Sequence, residues 1–260
     1  MSEDAATTKL RVTELHGGAL WRVLLDAPKG NVLDARMTTE LRQVFERAAE
    51  SRGLKGILLG AQGKHFCFGA SVEEHRPDAV ATMLAGFHAL FRQIAGSGVP
   101  VLVAVRGACL GGGLELAAFC QRVFAHPTAK LGQPEIALGV FAPVASAILA
   151  ERIGRGGADD LLLSGRNVDA DEALSMRLVD SVDEDPDVAA QTWAETYLLP
   201  HSASSLRLAT RAARLDFQQR FEQVLARLES LYLDDLMTTH DAVEGITAFL
   251  EKRKPEWSNQ

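Results

Sequence analysis

Two glutamates, Glu115 and Glu135, are the residues whose type and setting point most directly to chemistry. Both lie within residues 99–139, a stretch that is otherwise largely apolar or rich in glycine. Glu135 follows a proline and has apolar neighbours, a setting that desolvates a carboxyl group and raises its pKa. A pair with one ionised and one protonated carboxyl can move a proton at each end of a reaction. The alternatives are a first-turn acid that complements a helix dipole for Glu115 and a surface turn acid for Glu135.

The segment before Glu115 predicts how its carboxyl is positioned. The apolar run Val101–Val105 is rich in β-branched residues, as is typical of a strand covered on both faces. Gly107 opens a turn, the glycines Gly111–Gly113 follow, and Leu114–Cys120 is interpreted as the start of an apolar helix. The first N–H groups of a helix have no partner within it, so this turn suits an oxygen atom that gains negative charge in a transition state.

Four segments resemble the enoyl-CoA hydratase/isomerase (crotonase) superfamily. In chain order they are Phe66–Ser71, Gly111–Leu116, Gly132–Ile136 and Ala248–Lys254. The two glutamates are 20 residues apart, which is the separation found in the hydratases of this family. Each segment is a weak signal alone. Together they extend the resemblance over nearly the whole chain.

The resemblance implies an α/β fold, a crotonase-like spiral of repeated β-β-α units with a C-terminal helical region. It also implies a hydro-lyase that reversibly adds water to an α,β-unsaturated acyl-CoA. Glu115 would be the base toward the water and Glu135 would supply a proton to the α carbon. The backbone N–H groups of Ala70 and Gly112 would form the oxyanion hole. No metal or separate cofactor is implied, because coenzyme A is part of the substrate.

The resemblance also suggests which residues contact CoA. They are Lys29, Phe68, Lys252 and Lys254. Two alternatives stay open at this point. Lys29 is also consistent with a solvated loop lysine, and the basic cluster 252–254 with a helix end that complements its own dipole.

The segment after Glu135 departs from the family pattern. Crotonases commonly have a glycine-rich run here, whereas this chain has Val140 and Phe141, which are predicted to form a wall of the acyl pocket. This segment and Gly69–His75 resemble the cyclohexa-1,5-diene-1-carbonyl-CoA hydratases of aromatic (benzoyl-CoA) degradation. A further departure is Ser71, where the family often has aspartate. This change leaves the backbone donors of the oxyanion hole in place and is expected to reshape the pocket.

Other functions remain open for the same scaffold. They are a general short-chain enoyl-CoA hydratase, an enoyl-CoA isomerase of fatty-acid oxidation, a thioester hydrolase and a non-catalytic binding relative. The presence of both glutamates favours hydration over isomerases that keep only one. The pair and the acidic net charge disfavour a relative that binds RNA.

Composition limits the partners and the location. The chain has 260 residues, of which 47% are hydrophobic, and its formal net charge is −7. That charge disfavours nucleic acid or an anionic membrane as the main partner. The three cysteines form no C-x-x-C pair, which indicates a reducing compartment. The absence of a signal-peptide pattern and of a long apolar run predicts a cytoplasmic protein.

The chain is expected to divide into residues 1–186, a core with the CoA site and active site, and residues 187–260, a helical oligomerisation region. The family resemblance implies a homotrimer or a homohexamer.

Two histidines that flank a loop, His65 and His75, are interpreted as solvated. The glycine-rich run Gly154–Gly157 is interpreted as the end of a helix that spans 144–153.

Overall fold

The computed structural model describes residues 8–27 and 29–260, and in this part of the chain nine strands form two sheets. The strands are β1 (Leu10–Leu15), β2 (Leu20–Leu25), β3 (Gly56–Ala61), β4 (Val101–Val105), β5 (Ala108–Leu110), β6 (Arg122–Ala125), β7 (Lys130–Gly132), β8 (Asn167–Asp169) and β9 (Ser181–Val182). The larger sheet has the order β1-β2-β3-β4-β6-β9, and the smaller one has the order β5-β7-β8.

Nine α-helices accompany these strands among the described residues. They are α1 (Ala35–Glu50), α2 (Val80–Ser97), α3 (Gly112–Phe119), α4 (Pro143–Ser164), α5 (Ala170–Ser175), α6 (Pro186–Tyr197), α7 (Ala203–Ala213), α8 (Leu215–Ser230) and α9 (His240–Leu250). The glycine run that was expected to end α4 is instead a break within it. Gly154 has φ 77° and ψ 158°, and helical residues continue beyond it to Ser164.

The larger sheet is antiparallel at one edge and parallel elsewhere. β1 and β2 pair as the expected hairpin, with Leu10 opposite Leu25. The neighbours in the order β2, β3, β4, β6 and β9 are parallel. Between two parallel neighbours the chain must cross back to the edge of the sheet where the first strand began, so a hairpin turn cannot join them. The central strand β4 is wholly buried, which agrees with its continuous apolar sequence.

The smaller sheet positions the second glutamate relative to the first. β5 and β7 are parallel, with Leu110 paired to Gly132. α3 begins two residues after β5, and the segment that carries Glu135 begins directly after β7. The two glutamates therefore follow the carboxyl ends of two neighbouring strands, which meet at the same edge of the sheet.

The main hydrophobic core joins the amino-terminal sheet and helices to residues from the C-terminal helices. Phe221, Leu225, Tyr232 and Ile246 are buried in the same cluster as the strand residues. The proposed division at residues 186 and 187 remains a prediction. Among the described residues, no helix is both long and apolar enough to cross a membrane.

Candidate active site

Glu115 lies in the first turn of α3 and is buried, with 3% of its surface exposed. Its Oε1 accepts a hydrogen bond of 2.7 Å from the N–H of Ala145, near the start of α4. Burial raises the pKa of Glu115, while the N–H groups of Ala145 and Val144 act in the opposite direction. The carboxyl is therefore held by a second helix, and an ionised form has hydrogen-bond donors beside it.

Glu135 lies in a 3₁₀ turn, Pro134–Leu138, that begins directly after β7 and the buried Gln133. Its Oε2 is buried and has no hydrogen-bond partner among the described residues. Burial, and then the charge of Glu115, raises the pKa of this carboxyl. Because a second negative charge nearby is unfavourable, the pair favours a state with one carboxylate and one neutral acid.

Both glutamates line one cavity of about 70 Å³. Its other walls are mostly apolar or aromatic side chains from the turn before α2, from α2, from the segment between Glu135 and α4, and from a turn after α8. They include Val72, Met83, Leu84, Phe87, Leu138, Val140, Phe141 and Tyr232. About 10–15 Å³ of cavity volume is needed to hold one water molecule. The cavity of the two glutamates therefore has room for a few water-sized groups beside the carboxyls.

The backbone at Ala70 and Gly112 borders the same cavity. Gly112 is the first residue of α3, so its N–H has no acceptor within the helix. Within the described chain, no acceptor is recorded for the N–H of Ala70 either, although its neighbours Gly69 and Ser71 bond to Leu33. A Cβ atom placed on Gly112 would lie 3.0 Å from the Ala70 nitrogen. Only glycine leaves this space open for a ligand atom.

Gly111 shows why a glycine precedes α3. Its φ is +52°, a conformation that side chains rarely adopt, and a Cβ here would lie 2.6 Å from Oε1 of Glu135. Its N–H donates to the carbonyl oxygen of Gly132 over 2.9 Å. The two glycine-containing segments named in the sequence analysis are thus in direct contact, which brings their glutamates to one cavity.

The two residues expected in the acyl pocket both line this cavity. Val140 is 2% exposed, and Phe141 packs against Tyr232 with ring centroids 5.1 Å apart and an interplanar angle of 65°. Pro143 starts α4 two residues after Phe141, at a position where its missing N–H removes no helix bond. The departure from a glycine-rich sequence therefore gives an apolar wall on the short segment that leads into a helix.

The structure brings together two of the four expected CoA contacts. Lys29 and Phe68 line one open groove with Lys64 and His65. Phe68 also lines the cavity of the two glutamates, so the groove and the cavity meet at its ring. The ring lies against Gly30, where a Cβ would be 2.1 Å from it, and it is 45% exposed.

The other two expected CoA contacts lie elsewhere. Lys252 and Lys254 are exposed residues that follow α9, and neither lines the cavity or the groove that holds Lys29. Arg253, between them, forms ion pairs with Glu244 and Glu251. Within one chain, the Arg253 side chain is thus engaged with α9 and the residue that follows it.

The interpretation of His75 as solvated is wrong, whereas His65 is half-buried and lines the open groove. His75 lines the cavity, and its Nδ1 donates a 2.7 Å hydrogen bond to the carbonyl oxygen of Ser71. Burial lowers the pKa of His75, so the neutral imidazole is favoured. His65 accepts a hydrogen bond from the N–H of Ala108 and packs against Phe68. In the sequence His75 lies between Glu74 and Arg76, so no pattern distinguished it from a solvated histidine.

Tyr232 was also missed. It lies in a short run of leucine and tyrosine, which predicts only a buried helix face. The sequence gives no sign that this face meets a cavity formed by residues more than 80 positions earlier.

Comparison with known proteins adds three findings. A family model described as enoyl-CoA hydratase/isomerase matches residues 16–260. The chain is 50% identical over 260 residues to cyclohexa-1,5-dienecarbonyl-CoA hydratase of Thauera aromatica, with all of both chains covered. It is 29% identical to carnitinyl-CoA dehydratase of Proteus mirabilis, over 94% of this chain and 96% of that one.

The fold has solved counterparts. The crystal structure of an enoyl-CoA hydratase from Mycobacterium avium superposes with a TM-score of 0.86 at 26% identity, covering 97% of this chain and all of that chain. The structure of an enoyl-CoA hydratase/isomerase from Pseudoalteromonas atlantica gives a TM-score of 0.84 at 25% identity, over 96% of this chain. These matches confirm the expected α/β fold with C-terminal helices.

Proposed function

Because this chain belongs to the enoyl-CoA hydratase/isomerase family, we propose that it is a hydro-lyase that adds water reversibly to an α,β-unsaturated acyl-CoA. We propose cyclohexa-1,5-diene-1-carbonyl-CoA as the substrate, in aromatic degradation. The observation that carries the reaction is the pair of buried carboxyls, Glu115 and Glu135, on one small cavity. Beside them are two backbone N–H groups that have no acceptor among the residues the structure describes.

The environments of the two glutamates support different roles. Glu115 accepts a backbone hydrogen bond that favours its ionised form, whereas Glu135 has an unpartnered buried oxygen and is affected by the charge of Glu115. In the hydration direction Glu115 takes a proton from the water while the water oxygen bonds to the β carbon. Glu135 gives its proton to carbon. Two protons move, and the net charge of the pair is unchanged after the step.

The N–H groups of Ala70 and Gly112 are proposed as the oxyanion hole. The thioester oxygen gains negative charge when water adds to the β carbon, and two fixed donors stabilise that charge without reorganising. Each such donor contributes roughly 3–4 kcal/mol to the transition state in comparable enzymes. This role requires that both N–H groups lack protein acceptors, as they do among the described residues.

The groove that meets the cavity at Phe68 is the proposed path of the CoA moiety. Lys29 and Lys64 line it, and their positive charge suits the phosphates of the nucleotide. Phe68 offers an exposed aromatic face at the junction. Lys252 and Lys254 remain predicted CoA contacts on the family resemblance alone.

The cavity wall and one relative of this chain favour a cyclic acyl group. Val140 and Phe141 give the cavity a bulky apolar wall, which suits a compact ring better than a long chain. The relative of which all 260 residues align at 50% identity carries the name of the cyclic dienoyl-CoA hydratase. Water would add across the conjugated system of that substrate to give a hydroxycyclohexenyl-CoA.

A panel assay tests the substrate. Purified protein is mixed separately with crotonyl-CoA, a long-chain enoyl-CoA and cyclohexa-1,5-diene-1-carbonyl-CoA, and the loss of conjugation absorbance is followed. We expect the largest kcat/KM for the cyclic dienoyl-CoA. A preference for a straight-chain thioester would replace that substrate with a general enoyl-CoA and leave hydration intact. Double-bond migration without hydroxyl formation would indicate an isomerase.

The remaining expectations belong to the same proposal. The mechanism uses only groups of this chain, water and the CoA thioester, so we propose no metal and no separate cofactor. We further propose a cytoplasmic homotrimer or homohexamer that has neither nucleic acid nor a membrane as a partner.

A further inference from the structure

Tyr232 is a buried tyrosine whose hydroxyl has no partner in the part of the chain that the structure describes. It lies in a π-helical turn, Leu231–Asp235, that continues α8. The residue is 0% exposed, and its hydroxyl oxygen has no hydrogen-bond partner among the described residues. A buried hydroxyl normally finds a partner, because desolvation without a hydrogen bond is unfavourable. π-Helical turns occur frequently at functional sites.

The hydroxyl belongs to the cavity of the two glutamates. Tyr232 lines that cavity together with Glu115 and Glu135, and its ring packs edge-on against Phe141. Oε2 of Glu135 is another buried atom on the same cavity that has no hydrogen-bond partner within residues 8–27 and 29–260. An oxygen atom that entered the cavity could accept a hydrogen bond from Tyr232 and lie beside the carboxyls.

The surroundings keep the hydroxyl protonated. Burial raises the pKa of Tyr232, and the charges of Glu135 and Glu115 raise it further. Since an ionised phenol is disfavoured here, the group acts as a hydrogen-bond donor throughout the range in which the glutamates exchange protons.

We propose that Tyr232 is a further catalytic residue, whose hydroxyl donates a hydrogen bond to the oxygen atom that enters as water and becomes the hydroxyl of the product. This inference rests on the proposed hydration. Water accepts from Tyr232 and donates to Glu115, which leaves a lone pair free to attack the β carbon. In the reverse direction the same donor stabilises the departing hydroxyl oxygen. Tyr232 keeps its own proton in both directions.

The test removes one oxygen atom, that of the Tyr232 hydroxyl. The variant Tyr232→Phe keeps the ring and its contact with Phe141, and Tyr197→Phe is the matched control. The chain has two tyrosines, and Tyr197 is 56% exposed. For the thioester that the wild type hydrates best, we expect Y232F to lower kcat roughly 10- to 100-fold, with KM changed less than about twofold. Thermal stability should not fall, because no hydrogen bond in the free protein is lost.

A binding measurement tests the same residue through affinity instead of rate. Calorimetric titrations compare 3-hydroxybutyryl-CoA with butyryl-CoA, which differ in the hydroxyl group. We expect Y232F to bind the hydroxyacyl-CoA roughly 5- to 10-fold more weakly than the wild type and to bind butyryl-CoA equally well. Y197F should match the wild type with both ligands.

The outcomes separate this inference from the proposed function. If the wild type hydrates no thioester of the panel, the proposed function is wrong, and the two titrations still decide whether Tyr232 contacts a hydroxyl. If Y232F equals the wild type in kcat and in hydroxyacyl-CoA affinity, the inference is overturned. Equal weakening of both ligands, together with a lower melting temperature, would also overturn it, because that result indicates packing alone.

Discussion

At the scale of single residues, the site depends on two carboxyls that the fold removes from water. Glu115 is buried in the first turn of α3, and Glu135 has an unpartnered oxygen on the same cavity. Burial raises both pKa values, and the hydrogen bond from Ala145 to Glu115 makes the two environments unequal. Inequality matters because the reaction needs one proton acceptor and one proton donor at the same pH.

Replacing either glutamate with glutamine should abolish most of the hydration. Glu115→Gln removes the base and Glu135→Gln removes the acid, so we expect kcat to fall by about 10²–10⁴-fold in each variant. Steady-state assays with the best thioester of the panel measure this loss. The control is Glu46→Gln, an exposed residue on α1, which should retain the wild-type rate. Wild-type rates in both site variants would contradict the two-carboxylate mechanism.

The raised pKa of Glu135 also predicts how stability depends on pH. Between the ordinary glutamate pKa, 4.5, and the raised value, the folded protein holds more protons than the unfolded chain. The free energy of unfolding therefore falls as the pH rises through this interval. Glutamine removes this proton, so the melting temperature of Glu135→Gln should exceed that of the wild type increasingly above pH 4.5. A difference that is constant from pH 4 to pH 9 would contradict the assignment.

At the scale of elements, the glycines between β5 and α3 hold the site open. The sequence predicted this turn and its helix, and the structure starts the helix at Gly112, two residues before the predicted Leu114. Glu115 lies in the first turn of the helix with either start. Contact between Gly111 and Glu135 depends on the pairing of β5 with β7, which no local pattern specifies.

Two alanine substitutions separate the local role of glycine from its role at the site. A Cβ on Gly112 lies 3.0 Å from the Ala70 nitrogen, so Gly112→Ala should lower kcat by about 10²-fold or more. Gly86, in the middle of α2, has no atom within 4 Å of an added Cβ. Gly86→Ala should keep the wild-type rate and raise the free energy of unfolding by about 0.5–1 kcal/mol. Rate assays and thermal melts distinguish the two, and an active G112A would exclude the proposed oxyanion hole.

At the scale of the whole molecule, the C-terminal helices have two roles in one chain. They contribute Phe221, Leu225 and Tyr232 to the main core, and Tyr232 reaches the cavity. They also leave large apolar side chains on the surface, with Leu208 64% and Leu215 60% exposed. Exposed apolar residues of this size are frequent where copies of a chain associate.

The predicted assembly can be measured directly. Sedimentation equilibrium of the purified 28.1 kDa chain should give the mass of three or six copies. Because apolar contacts would hold the copies together, the mass should change little between low and high salt. A monomer at micromolar concentration would contradict the prediction.

The sequence by itself determined the family, the hydrophobic strand β4, the glycine turn and the identity of the two glutamates. These features are local: each follows from residue types at short spacing, and 20 residues separate the two carboxyls. Only the tertiary structure decided that His75 and Tyr232 face the same cavity, and that Lys29 and Phe68 share a groove from which Lys252 and Lys254 are absent. The physical reason is that a side chain's surroundings are set by strand pairing and helix packing between distant segments. Burial, which shifts the pKa values on which the chemistry depends, exists only after those segments have met.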